Sequence, residues 1–135
     1  MTDDTFYRVS VKGTVFDEQG RFLLACEADG TWELLGGGLS HGEDPVECLK
    51  REIREETGLV VADVSPSPKC FLTAPSLSNP TVYTANIVYE MKLASLDFVP
   101  SDECQELRFF TPTEVKQIKR FPNVDAFIDL LRKVL

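Results

Sequence analysis

Gly37 to Leu59 reads GGLSHGEDPVECLKREIREETGL, and its second half predicts a helix over Pro45–Thr57. Asp44 caps the start, Pro45 suits a first position that needs no N–H, and Gly58 suits a left-handed stop. Val46, Leu49 and Ile53 are spaced by three and four, an apolar stripe facing a core. Glu52, Glu55 and Glu56 fall at i, i+3 and i+4, so they share an arc of about 100°, turned away from that stripe. In a bare helix this is costly: like charges at such spacings repel by roughly 0.2–0.5 kcal/mol per pair. The C-terminal end of the helix dipole adds ~0.3–1 kcal/mol for each anion. A hard divalent cation removes both penalties, because it takes carboxylate oxygens and keeps waters for phosphates. Alone, three glutamates on a helix read as a solvated face. The glycine-rich loop predicted just before them, Gly36-Gly37-Gly38 running through to Gly42 and Glu43, changes that reading, since glycines let backbone approach a ligand closely.

On the N-terminal side, Tyr7, Val9, Val11, Gly13 and Val15 alternate with Arg8, Ser10, Lys12 and Thr14, the pattern of a half-buried strand. Asp17-Glu18-Gln19-Gly20 predicts a turn and Arg21 to Glu27 the paired strand. After a turn at Asp29-Gly30 comes a short segment around Trp32 and Leu34. On the C-terminal side, Leu59–Val64, Lys69–Thr73, Thr81–Ala94 and Leu107–Thr111 predict strands, with a turn-rich loop over Pro75–Pro80. Thr113–Ile118 predicts a short helix. Asn123 is the expected cap of a terminal helix with Val124, Phe127, Ile128, Leu131 and Val134 on one side. Strands flanking a central helix, with a helix at the end, predict a mixed α/β or α+β fold, read as one domain over residues 1–135.

The chain has 135 residues, 22 acidic and 14 basic, a formal net charge of −8. That argues against a nucleic-acid polymer as partner, since such affinity rests on Lys and Arg neutralising phosphates. A small phosphorylated substrate remains open where metal ions supply the positive charge. No apolar run approaches the ~20 residues of a membrane span. Met1-Thr2-Asp3-Asp4 is acidic and unlike a signal peptide. Cys26, Cys48, Cys70 and Cys104 form no C-x-x-C pair, with His41 the single histidine. They read as small buried hydrophobes in a reducing compartment rather than as a zinc cluster or disulfides. A cytoplasmic protein is expected.

Gly37, five residues, Glu43, seven residues and then Arg51-Glu52-Ile53-Arg54-Glu55-Glu56-Thr57-Gly58-Leu59 match G-x5-E-x7-R-E-U-x-E-E-x-G-U at all nine defined positions. On these residues the chain resembles the Nudix, or MutT-like, hydrolases. The lead-in from Trp32 to Gly37 resembles the family's W-x-L-P-G-G, with Leu35 in place of proline. Ser40 replaces a frequent glutamate. Glu106-Leu107-Arg108-Phe109-Phe110 resembles a later family segment.

The resemblance implies an α/β/α sandwich with a central mixed sheet. It implies that Glu52, Glu55 and Glu56 hold one or more Mg²⁺ or Mn²⁺ ions, with the Gly36 carbonyl as a further ligand and Gly37 and Gly38 against the substrate. Glu43 and Arg51 would orient each other and the metal-binding face. Asp102, Glu103 and Glu106 are the candidates for a late base or extra ligand. The implied reaction is hydrolysis of a phosphoanhydride bond in a nucleoside diphosphate derivative, by water that the ion activates and a glutamate deprotonates. Substrate choice lies outside the box. A nucleoside triphosphate is the first expectation and an ADP-ribose or nucleotide-sugar substrate the alternative. A silent nucleotide-binding module and a prenyl diphosphate isomerase are the other classes. Pro75, and Phe71, Tyr83, Tyr89 and Phe110 as base-stacking aromatics, are weak pointers beside core packing and turn chemistry. His41 reads as solvated or substrate-facing. The oligomeric state stays open, a homodimer included.

Overall fold

The computed structural model describes residues 5–134, with side chains to residue 133. Met1 to Asp4, and the Val134 side chain of the expected terminal stripe, lie outside the described residues. The elements run β1 (Tyr7–Thr14), β2 (Phe22–Cys26), β3 (Trp32–Glu33), β4 (Leu35–Gly38), α1 (Pro45–Thr57), β5 (Val61–Val64), β6 (Cys70–Pro75), β7 (Tyr83–Leu93), β8 (Glu106–Phe110), α2 (Pro112–Val115) and α3 (Pro122–Val134).

One sheet is mixed: β4 pairs antiparallel with β1, β1 parallel with β7, and β7 takes β6 and β5 antiparallel along its other side. A second, antiparallel sheet runs β3-β2-β8. The α+β class with a central mixed sheet is therefore as expected. Two apolar cores form. One holds Val11, Leu35, Leu49, Ile53 and Tyr89 with α1; the other holds Leu72, Val88, Val124, Phe127 and Ile128 with α3. Strand β2 serves both, Leu23 and Ala25 in the first and Phe22 and Leu24 in the second. A strand buried on both faces needs no alternation, which is why it reads as a continuous apolar run.

Three sequence expectations are corrected. Strand β1 is not half-buried: from Val11 to Thr14 every residue is buried, Lys12 and Thr14 included, because β1 lies between β4 and β7 and is covered on both faces. The glycine stretch is not a loop up to Gly38 but strand β4, in register with β1 from Ser10↔Gly38 to Gly13↔Leu35. Asn123 does not cap α3; Pro122 opens the helix and Asn123 sits in its first turn, its amide buried and donating to Asn86 Oδ1 at 3.3 Å. The helix over Pro45–Thr57 has the predicted bounds, with Asp44 accepting from the N–H groups of Val46 and Glu47 and Gly58 left-handed at φ 74°.

Candidate active site

The site begins where β4 presses on β1. Gly36 has φ 124°, and a Cβ there would overlap the Val11 carbonyl oxygen. A Cβ on Gly37 would overlap the Glu52 carboxylate. Glycine is thus needed twice for close approach, once strand to strand and once strand to helix. The helix in turn grips the strand: Glu56 Oε1 accepts the Gly36 N–H at 2.9 Å.

Glu56 corrects the expectation that the whole acidic arc is turned away from the apolar stripe. It is buried, 6% exposed, because it follows the core residue Ile53 by three positions and so shares its side of the helix. Burial pushes its carboxyl up to about 8, opposed by Lys12 and by the Gly36 N–H. Glu27 is also pushed up, by burial and by the neighbouring Glu33 carboxylate.

Arg51 organises the remaining acids. Its Nε and Nη2 donate to Glu43 at 2.8 and 3.0 Å, a two-pronged pair, while Nη1 donates to Glu52 at 3.0 Å and Glu55 at 3.2 Å. The guanidinium pulls the Glu43 carboxyl down to about 2, and Glu43 and Glu52 hold Arg51 above its ordinary value. Lysine, a point charge, cannot span three carboxylates in this way. Arg51→Lys is expected to lower kcat/KM and Mn²⁺ affinity by roughly 10–100-fold with little change in melting temperature; Mn²⁺ titration and thermal melts check it.

As they stand, no three Asp, Glu, His or Cys side chains among the described residues converge on one metal-sized point. Glu52 and Glu55 are drawn to Arg51, and Glu56 to Gly36. The donor set nonetheless suits a hard cation: carboxylate oxygens share one helix face, Glu52 lies where a Cβ would go, and Glu56 is buried with an excess of negative neighbours. The raised carboxyls also give the metal-free protein a pH signature. Unfolded, Glu56 loses its proton near 4.5; folded, it keeps it to about 8. This stabilisation is full below pH 4.5 and drains away as pH rises through about 8, with Glu27 acting in the same direction. Glu43 acts oppositely but only below 4.5. Melting temperature in EDTA is expected to fall between pH 5 and 8.5 and to recover there on adding Mg²⁺.

The late acids stand apart. Glu106 is bound by Arg108 Nε at 3.0 Å on its own strand, and Asp102 and Glu103 are exposed in the loop before it. Among the described residues no hydrogen bond or ion pair joins them to Glu52, Glu55 or Glu56. Ser101 reaches closer, its Oγ donating to the Glu56 carbonyl at 3.3 Å. His41 is exposed, beside Ser40 and Glu43. The four thiols are unpaired, Cys48 and Cys104 buried.

A polar cleft of about 280 Å³ opens on the other face of β1 and β7, lined by Arg8, Lys12, Glu33, Asn86, Phe121 and Asn123 among others. Asn123 Oδ1 is buried there with no partner among the described residues, and Asn86 Nδ2 donates on to Thr84 at 3.0 Å. Sequence reasoning missed this cleft. Its residues come from five separate segments, and a lone Asn or a Lys in an alternating strand reads as solvent-facing. The aromatics proposed for stacking do not line it: Tyr89 and Phe110 are core, while Phe71 and Tyr83 are exposed elsewhere. Pro75 does line it.

A family model described as NUDIX domain matches residues 6–131. The chain belongs to the Nudix hydrolase family. Among curated Nudix relatives, a MutT-like protein of Streptomyces ambofaciens is 48% identical over 61 residues, 44% of this chain and 40% of that protein, well under two thirds of its length. The nucleoside triphosphatase NudI of Salmonella typhimurium is 30% identical over 113 residues, 75% of this chain and 80% of that one. In fold, the MutT protein of Methanosarcina mazei superposes with a TM-score of 0.68 at 24% identity, covering 98% of this Nudix chain and 95% of its own. No helix among the described residues is long and apolar enough to cross a membrane.

Proposed function

We propose that this Nudix protein hydrolyses a phosphoanhydride bond in a small-molecule nucleoside diphosphate derivative, nucleoside triphosphates foremost, using Mg²⁺ or Mn²⁺. One observation carries the reading: Glu56 is a carboxylate buried on the Gly36 amide, beside two further carboxylates gripped by one arginine. A bound divalent cation supplies Lewis acidity and an activated water. The chain's own residues do the rest. Glu52, Glu55 and Glu56 would present oxygens to it, while the Gly36 carbonyl, the further ligand that the resemblance implies, accepts instead from Lys12 Nζ at 3.2 Å. Arg51, braced by Glu43, aims Glu52 and Glu55, which would hold the cation. Gly37 and Gly38 carry no side chains of their own, so a diphosphate can approach the β4 backbone beside Glu52 and Arg8. Glu56, whose proton affinity is raised, is the candidate to take the proton of the attacking water.

We assign the nucleoside half to the cleft, where Asn123 Oδ1 is available to accept an N–H from a base edge and Arg8 to donate to its acceptors. The name of NudI, a nucleoside triphosphatase, supports this substrate class. Asn123→Ala is expected to raise KM roughly tenfold with kcat nearly unchanged, the mark of a binding contact distant from the reacting phosphorus; steady-state kinetics on the preferred nucleotide check it. The reading itself is tested by product analysis in Mg²⁺ across nucleoside triphosphates, ADP-ribose and nucleotide sugars. Pyrophosphate plus a nucleoside monophosphate supports it. Cleavage of ADP-ribose or a nucleotide sugar alone, giving two monophosphorylated halves, shifts the substrate class. Binding without turnover points to a silent module.

A further inference from the structure

Lys12 is held as a protein holds a metal ion. Its Nζ donates to the Leu34 carbonyl at 3.3 Å and the Gly36 carbonyl at 3.2 Å, and Glu33 Oε2 lies 3.7 Å away. The residue is buried in β1, 5% exposed, at the wall of the polar cleft. Two carbonyls and a carboxylate are hard oxygen donors of the kind that take Mg²⁺ or Ca²⁺, here facing an ammonium whose three N–H groups match them in number. The charges around it come from several elements: Glu33 from β3, Glu27 beyond the end of β2, and Glu56 from α1. Gly36 is the hinge between the two halves, its carbonyl accepting from Lys12 and its N–H donating to Glu56.

We propose that Lys12 is a built-in cation that fills the carbonyl side of the active site, between Leu34, Gly36 and Glu33, and so lowers by one the number of divalent ions the site takes. A charge is favoured there because the Glu33 carboxylate lies 3.7 Å away in a buried setting, with Glu27 and Glu56 as further acidic neighbours. A lysine supplies that charge permanently, whatever the ion concentration. The role presupposes the metal-dependent reading above, but it concerns ion count and not turnover.

The test is a Mn²⁺ titration of the full chain, free Mn²⁺ being read by electron paramagnetic resonance. Lys12→Ala leaves the three oxygens and an empty space, and is expected to bind one more Mn²⁺ per chain than the wild type. Lys12→Arg keeps a cation and is expected to keep the wild-type count. Methylammonium at high concentration is expected to displace the extra ion from Lys12→Ala. Should Lys12→Ala not fold, Lys12→Gln, near in length and neutral, makes the same comparison. An unchanged count in every folded neutral variant overturns the role, and does so without touching the hydrolase reading if the wild type still turns over nucleotides. No Mn²⁺ in any variant and no turnover overturn both.

Discussion

Glu56→Gln is expected to cut kcat on the order of 10³-fold, about 4 kcal/mol of transition-state stabilisation, while raising the melting temperature of the metal-free protein. The two effects come from one fact. Glutamine keeps the carbonyl that accepts the Gly36 N–H at 2.9 Å, so the strand–helix contact survives. It removes a carboxyl whose burial has pushed its proton affinity up to about 8, so the fold no longer has to keep protonated at neutral pH a group that the unfolded chain ionises. A carboxylate kept where it weakens the fold is what a functional group looks like. Kinetics in Mg²⁺ and melts in EDTA, on the same two proteins, check both halves. Loss of stability together with loss of activity would instead make Glu56 a structural residue.

The second large effect concerns backbone. Gly36→Ala is expected to cost on the order of 3 kcal/mol, enough to remove a large part of the stability of a domain this size. At φ 124° an L side chain is strained, and the Cβ meets the Val11 carbonyl oxygen and the Lys12 Cα, backbone atoms that cannot swing aside. Relief requires β4 to leave β1, which would also take the Gly36 amide from Glu56. Gly20→Ala is the control: its φ of 75° is left-handed, but nothing lies within 4 Å of the added carbon, so about 1 kcal/mol is expected. Denaturant melts of both variants, compared at equal m-values, measure the difference.

These two residues also show what the sequence makes legible. Helix α1 was readable to its ends because every signal was local: Asp44, Pro45, Gly58 and the Val46, Leu49, Ile53 stripe lie within one short window. The acid set was readable for the same reason, and the family resemblance added roles for Glu43 and Arg51 that the bidentate ion pair gives a geometry to. What could not be read depends on distant pairing. The glycines of β4 look like a loop until β1 is set beside them. Lys12 looks solvent-facing until β4 and β7 enclose its strand. Glu56 looks exposed if the helix is read alone, because only packing distinguishes the edge of an apolar stripe from its flank. The cleft drew Arg8, Asn86 and Asn123 from three elements, and no spacing within one chain announces such a meeting. Asn123 was misplaced for a related reason: Asn before an apolar periodic run is a frequent cap, and Pro122 opened the helix one residue earlier.

The most direct test of the account is the Mg²⁺ dependence of nucleoside triphosphate hydrolysis by the wild type beside Glu56→Gln. Turnover to pyrophosphate and nucleoside monophosphate is expected to be abolished by EDTA, restored by Mg²⁺ or Mn²⁺, and lost in a variant that is folded and more stable. Turnover that persists in EDTA, or that survives intact in Glu56→Gln, would contradict it.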